Sequence, residues 1–364
     1  MLLEAFSRKT GTQGNTNLPG SSPASLPKHQ QLVLARRWLS ALLVRRSKTL
    51  VEFKGGGSRN LFLVHDGDGE TLLYLDLARR MPSNLSVVGI EPHRIPGVPL
   101  AHTSIEEMSR FYVGEIRRIQ PKGPYLLGGL CAGGVIAFEM ASQLSRAYEH
   151  VELLALLETA APGARKRPGI IARQRLDRLT HTLAEASRSN RSHLGHVWTA
   201  FGEISRKLVN MLKWETMQRI TRWSVRARFR LLDYLHARDL PWPQFLPELS
   251  VRQILESAEA VYVPKPLPHG SVVLVRARAG VQHDTARTDD TAFREIYADD
   301  TFGWRGLTDK LVVIDVDGGH SSMLHEPFVQ ALASALTPFV DDSPLDRPPL
   351  EQNDPGSCPR VIAL

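Results

Sequence analysis

The residue with the most reactive chemistry is Cys131, set in Gly129-Leu130-Cys131-Ala132-Gly133-Gly134. The apolar run Pro124–Gly128 precedes it, and a helical pattern of Val135, Ile136, Phe138, Met140 and Leu144 follows. A side chain at a tight strand-to-helix turn is forced outward above the sheet, and such a turn tolerates only small neighbours. The helix that follows aims its N-terminal dipole and free N–H groups at the sulfur, which favours a thiolate and a developing oxyanion. The Ala132 N–H is the expected first oxyanion donor. A second donor is expected from His65-Asp66-Gly67-Asp68-Gly69, with Gly67 N–H favoured and Asp68 as the alternative.

A nucleophile of this kind needs a base, and the base needs an orienting acid. After a strand-turn-helix elbow these follow in the order nucleophile, acid, histidine. Among 13 histidines, position selects His320 in Asp317-Gly318-Gly319-His320, just past the run Leu311–Val316; His325, His65 and His102 are weaker candidates. Glu158 closes the apolar run Val151–Leu157, and a carboxylate there is costly unless its charge is used. Asp289, Asp290, Asp315 and Asp317 are the fallback acids.

The elements that must position these groups read as an alternation. Leu61–His65, Leu85–Ile90, Pro124–Gly128, Val151–Glu158, Ser271–Ala277 and Leu311–Val316 are apolar runs of buried-strand length. Amphipathic segments lie between them, one opened by Ser104 and Glu107 and another by Ser250 and Gln253, both spaced as capping boxes. Strands alternating with helices predict an α/β fold with a mostly parallel, doubly wound sheet.

Around this body, residues 1–29 read as a disordered N-terminal segment and 30–54 as a basic amphipathic helix or linker. The catalytic domain is expected over 55–341, with a helical lid inserted at about 163–249, and 342–364 as a flexible tail. Trp198, Trp214 and Trp223 are candidates to line a substrate tunnel or to pack the lid.

The 364 residues carry a net charge of +7, unevenly placed: residues 1–54 hold 9 Lys/Arg against 2 acidic residues, and residues 163–240 hold 17 against 6. Basic segments beside an acidic body suit an acidic partner. No nucleic-acid recognition motif accompanies the charge, no metal-ligand cluster or nucleotide-binding loop is apparent, and no apolar run approaches a membrane span. MLLEAFSRKT lacks the layout of a secretory signal, and two cysteines, Cys131 and Cys358, make no disulfide framework. Both suit a cytoplasmic protein.

LFLVHDGDG, SIEEMSRFYVGEIRRIQPKGPYLLGG, CAGGVIAFEMA, VELLALLE and DGGHSSMLHEP, in that order, resemble the type I releasing thioesterase domains of nonribosomal peptide and polyketide synthases. The resemblance covers roughly 48–340, with SKTLVEFKGGGSRN as lead-in and SAEAVYVPKPLPHGSVVLVRA as the return from the lid. It implies an α/β-hydrolase fold and an acyl-enzyme loaded from the phosphopantetheine arm of an acidic acyl or peptidyl carrier protein, or from CoA. Release to water, an amine or a hydroxyl would follow, with no bound cofactor. Three positions depart from the usual pattern: Cys131 replaces serine, Glu158 replaces aspartate, and Asp66 stands where proline is common. Transfer from a carrier thioester to a thiol is close to energy-neutral and keeps the acyl group activated, which favours aminolysis or lactam and lactone closure over plain hydrolysis. No carrier-domain serine motif precedes the elbow, so a free-standing enzyme and an excised terminal domain both remain open. So do two other functions: a polyhydroxyalkanoate-synthase-like acyl polymerase, whose box resembles Leu130-Cys131-Ala132-Gly133-Gly134, and a non-catalytic carrier-docking scaffold.

Overall fold

A computed structural model describes residues 49–167, 217, 219–238, 240–268, 270–278, 290–340 and 360–362. Its strands are β1 Leu50–Lys54, β2 Arg59–Val64, β3 Leu85–Ile90, β4 Tyr125–Leu130, β5 Val151–Leu157, β6 Ser271–Ala277, β7 Leu311–Val316 and β8 Arg360–Ile362. They form one eight-stranded sheet in the order β1-β3-β2-β4-β5-β6-β7-β8. All pairings from β3 to β7 are parallel, and the two edge strands run antiparallel to their neighbours.

Side-chain alternation divides the sheet into two cores. Phe62, Val64, Val88, Ile90, Leu127, Leu154, Leu156 and Leu274 face α2 (Ile105–Ile119), α3 (Ala132–Arg146) and α4 (Val251–Glu259). Leu61, Leu63, Val87, Leu126, Leu153, Val273 and Val275 face α1 (Leu75–Arg80) and α6 (Val329–Val340). A short α5, Phe293–Ile296, precedes β7. Each fully buried leucine or isoleucine contributes about 1.5–3 kcal/mol, so the covered strands are fixed in register by what they bury. The Ser104 hydroxyl accepts from Glu107 N–H, and Ser250 and Gln253 form the complete reciprocal box.

The structure moves two expected boundaries. Residues 50–54, assigned above to the basic helix or linker of 30–54, form β1, so the α/β body opens before residue 55. The antiparallel ladder from Leu50↔Ile90 to Lys54↔Val87 pairs the backbone, Leu50 is buried, and the Phe53 ring occupies the space left by Gly89. In the expected tail, Arg360–Ile362 pairs with β7 as β8. Residues 1–48 and 168–216, with Trp198 and Trp214, lie outside the described residues. Residues 219–236 are helical, and Trp223 on them is exposed. Among the described residues, no helix is long and apolar enough to cross a membrane.

Candidate active site

Cys131 lies between the last residue of β4 and the first of α3, with φ 54° and ψ −120°. That backbone conformation is strained for a side-chain-bearing residue by about 1–3 kcal/mol, and its surroundings hold it. Cys131 N–H donates to Leu157 O at 3.0 Å, and Gly134 N–H donates to Cys131 O at 3.0 Å. A Cβ on Gly129 would lie 2.4 Å from the Gly133 carbonyl carbon, one on Gly133 2.3 Å from His65 O, and one on Gly134 2.0 Å from Thr159 Oγ1. All three glycines are therefore required by close approach. The buried Tyr74 hydroxyl donates to Val64 O and accepts from Leu130 N–H, both at 2.8 Å, and so ties β2 to β4 at the turn. Burial pushes the Tyr74 hydroxyl far above its usual titration range and keeps it a donor.

Glu158 follows β5 with φ 41° and is 0% exposed. Its N–H donates to Val275 O at 2.8 Å. Its carboxylate accepts from Ala277 N–H at 2.6 Å and from Phe293 N–H at 2.7 Å, which offsets the cost of burying the charge. The acid is thus fixed by backbone donors from the end of β6 and the start of α5.

The structure brings His320 to both groups. Its Nδ1 lies 3.6 Å from Glu158 Oε2, just beyond hydrogen-bond length, and has no hydrogen-bond partner among the described residues. Phe293 stacks on the imidazole with ring centroids 4.6 Å apart and 24° between planes. Burial alone lowers the affinity of the imidazole for its proton. The nearby Cys131 and Glu158 override that and push His320 up to about 10. The protonated ring is therefore favoured when the sulfur and the carboxylate are both ionised.

The turn after β2 lies over the elbow: a Cβ on Gly67 would sit 3.9 Å from the Ala132 Cβ. The Asp66 carboxylate accepts from Asp68 N–H and Glu70 N–H, both at 2.9 Å. That engages the Asp68 donor, whereas Gly67 N–H makes no hydrogen bond among the described residues. Burial raises the Asp66 carboxyl above its ordinary range. Asp68 forms a two-point ion pair with Arg252 at the start of α4, at 2.7 and 2.5 Å, and Arg252 also feels the charge of Cys131.

The remaining candidates are held elsewhere. His65 is fully buried, 3.0 Å from the Tyr112 hydroxyl and 2.9 Å from Asp66 O, and burial lowers it to about 4. His102 packs with His93, Phe111 and His236. His325 lies 3.7 Å from Asp76 on an exposed edge. Asp315 pairs with Arg276 and Arg294, Asp317 with Arg278, and Asp289 lies outside the described residues.

Asp290 has a different task from the fallback acid expected of it. One of its oxygens accepts from Ser321 N–H and Ser322 N–H at 2.8 and 3.0 Å, the other from the Ser322 hydroxyl at 2.6 Å, while its main-chain oxygen accepts from His320 N–H at 3.1 Å. It shapes the turn that carries the imidazole. Sequence reasoning passed over Tyr74, Phe293 and this task of Asp290, because each acts on residues distant in the chain. Among the described residues, no group of three or more His, Cys, Asp or Glu could hold a metal ion.

The family model of the Thioesterase domain matches residues 59–244, just over half of the chain. Malpibaldin synthetase of Mortierella alpina is 38% identical over 109 residues, which are 30% of this chain and 2% of that protein. The non-reducing polyketide synthase Preu8 of Preussia isomera is 37% identical over 107 residues, 29% of this chain and 5% of that one. The chain therefore spans only a small fraction of the curated relatives it matches. The solved NocB thioesterase domain from the nocardicin cluster aligns with 79% of this chain and 97% of its own, at 23% identity and TM-score 0.45–0.46 in two crystal structures, with coverage of 80% of this chain in the second. The family match, on a parallel sheet whose strand ends carry Cys131 and Glu158, makes this chain a member of the thioesterase domain family, with the α/β-hydrolase fold.

Proposed function

We propose that the chain is a releasing thioesterase/acyltransferase that loads an acyl chain, peptidyl or polyketide, from a carrier-protein phosphopantetheine thioester onto Cys131. Release then follows to an amine, to an internal nucleophile that closes a lactam or lactone, or to water. The observation that carries the reading is the place of His320, whose imidazole interacts with Cys131 and Glu158 at once. Cys131 is the nucleophile, His320 the proton carrier and Glu158 the group that orients it.

The reaction starts from the ion pair formed when the sulfur passes its proton to His320. The sulfur attacks the carrier thioester carbon, a new C–S bond forms, and the pantetheine C–S bond breaks. The departing pantetheine sulfur takes the His320 proton. Acylation removes the sulfur's charge and with it one cause of the raised proton affinity, so the imidazole is freed to act as a base. It takes the proton of the incoming amine, hydroxyl or water as that group attacks the acyl carbon. The C–S bond to Cys131 breaks, and the thiolate–imidazolium pair returns. Ala132 N–H and Gly67 N–H are placed to hold the oxyanion in both steps.

An acidic carrier fits the basic insertion, whose described part carries Arg219, Arg222, Arg226, Arg228 and Arg230. This insertion between β5 and α4 is the lid of the reading. Intact mass spectrometry after mixing with an acyl N-acetylcysteamine thioester tests it: one acyl mass on the wild type and none on Cys131→Ala is expected. No adduct on the wild type overturns it and favours a carrier-docking scaffold.

A further inference from the structure

The turn after β2 has to present an N–H to the substrate, and a buried ring bears on which way it points. A trans peptide is planar, with its C=O and N–H on opposite sides. The Asp66 carbonyl and the Gly67 N–H share one such peptide, so whatever holds the carbonyl also aims the N–H. Two donors hold it. His65 Nδ1 lies 2.9 Å from Asp66 O, and Gly69 N–H donates to the same oxygen at 3.1 Å. The Gly67 N–H is left on the side of the peptide away from them. Gly67 itself abuts the elbow, since a Cβ there would sit 3.9 Å from Ala132 Cβ.

His65 is locked in its place. It is 0% exposed, and its N–H donates to Ile90 O at 2.9 Å. Its main-chain oxygen lies against the elbow, where a Cβ on Gly133 would come within 2.3 Å of it. The imidazole meets the buried Tyr112 ring of α2 edge-on, with 5.9 Å between centroids and 87° between planes. Its Nε2 lies 3.0 Å from the Tyr112 hydroxyl. These contacts select one tautomer. A carbonyl oxygen only accepts, so Nδ1 carries a proton. Burial lowers His65 to about 4, so near neutral pH Nε2 is bare and the Tyr112 hydroxyl donates to it.

We infer that His65 is a positioning residue of the oxyanion hole: backed by Tyr112, its ring holds the Asp66–Gly67 peptide so that Gly67 N–H meets the acyl oxygen. The inference rests on the acyl-enzyme reading given above, with Gly67 as its second donor. His65 acts through that peptide and moves no proton of the reaction. The Asp66 carboxylate has a separate effect. It folds the turn by accepting from Asp68 N–H and Glu70 N–H, whereas the ring sets the tilt of one peptide within it. Loss of the ring donor leaves the turn closed and lets that peptide rotate. The cost then falls on steps in which negative charge develops on the acyl oxygen. Removing an oxyanion donor outright costs about 10²–10³-fold in rate, and a loosened one costs less.

The test uses the full chain with an octanoyl N-acetylcysteamine thioester, reading single-turnover acyl loading of Cys131 by intact mass over a range of thioester concentrations. Alkylation of Cys131 by iodoacetamide, read by peptide mass, is the control: displacement at a saturated carbon needs the same thiolate and develops no oxyanion. His65→Gln, whose amide reaches toward the place of Nε2, leaves Asp66 O without its ring donor. It is expected to slow loading roughly 30-fold, in the maximal rate rather than the half-saturating concentration, with alkylation unchanged. His65→Asn, which sets an amide N–H where Nδ1 stood, is expected to recover most of that loss. Equal loading by wild type and His65→Gln, equal losses in the two variants, or a matching loss in alkylation each overturns the inference. Should the variants fail to fold, NMR of the wild-type ring nitrogens takes their place: a proton on Nδ1 alone near neutral pH is expected, and the opposite tautomer or an imidazolium overturns it. Gly67→Pro, which removes the N–H, separates the inference from the reading beneath it. Slow loading by Gly67→Pro beside normal loading by His65→Gln sinks the positioning task alone. Normal loading by Gly67→Pro removes Gly67 from the oxyanion hole and the inference with it, whereas a wild type that never loads Cys131 sinks the acyl-enzyme reading as well.

Discussion

Of the five proposed positions of the site, two hang on strands and two ride on loops, and these two pairs are secured differently. Cys131 and Glu158 continue adjacent parallel strands, and each donates its N–H to the next strand over, to Leu157 O and Val275 O. Sheet register sets them, and both sit at positive φ. Gly67 and His320 lie beyond strand ends, where no ladder reaches. Each of their turns is instead folded around an aspartate that gathers two backbone N–H groups, Asp66 in one and Asp290 in the other. The contrast separates chemistry from aim. Strand-borne groups are placed by the same hydrogen bonds that make the fold, whereas loop-borne groups depend on single carboxylates that can be changed while the sheet stands.

Substitutions can break that division or sharpen it. The largest effect is expected from Cys131→Ala, which should abolish the acyl-enzyme and lower kcat by about 10⁴-fold or more; a residual acyl adduct elsewhere on the chain would count against the assignment. The same change removes one cause of the raised His320 proton affinity, so NMR should show the imidazole titrating lower than in the wild type. Glu158→Gln comes next, with a loss of roughly 10²–10⁴-fold in kcat from an imidazole no longer held in its productive tautomer. It too should lower the His320 midpoint.

That midpoint also governs stability. The folded-state value, about 10, lies above the ordinary 6.5, so the protonated ring stabilises the fold fully below pH 6.5, and the contribution fades as pH climbs through 10. Thermal melts of the wild type should lose this increment over that window and those of His320→Ala should not.

Asp290→Ala should be milder in chemistry. Removing a carboxylate that holds Ser321 and Ser322 is expected to cost about 1–3 kcal/mol and to lower kcat roughly tenfold, with acyl transfer still confined to Cys131. If Asp290→Ala matched Glu158→Gln in both kcat and the His320 midpoint, the division between aim and chemistry would fail. Smallest of all is Arg252→Ala, which opens an ion pair whose side chains are more than half exposed; about 0–1 kcal/mol of stability and a few-fold in kcat are expected.

The same division explains what could be read from the sequence. Leu85–Ile90, Ser271–Ala277 and Leu311–Val316 emerge with the limits predicted from apolar runs, because a strand buried on both faces is apolar at most of its positions. β4 runs on to Leu130 rather than stopping at Gly128, because Gly128 fits between Leu63 and Ala155 and Gly129 against Gly133, and neither marks a break. β1 escaped because an edge strand covered on one side keeps Glu52 and Lys54 among its apolar residues and shows no continuous run. The elbow announces itself in six consecutive residues. The donors that fix Glu158 stand 119 and 135 residues away, beyond any local pattern, and the turn-building of Asp290 is likewise visible only once its loop meets the one after β7.

One carboxylate receives the N–H groups of both Ala277 and Phe293. Glu158 is thereby a clasp as well as the proposed orienting acid, since the chain that leaves after residue 277 must come back to it at residue 293. Removing that carboxylate frees Phe293 as well as the Ala277 N–H, so the ring stacked on His320 loses its anchor together with the acid.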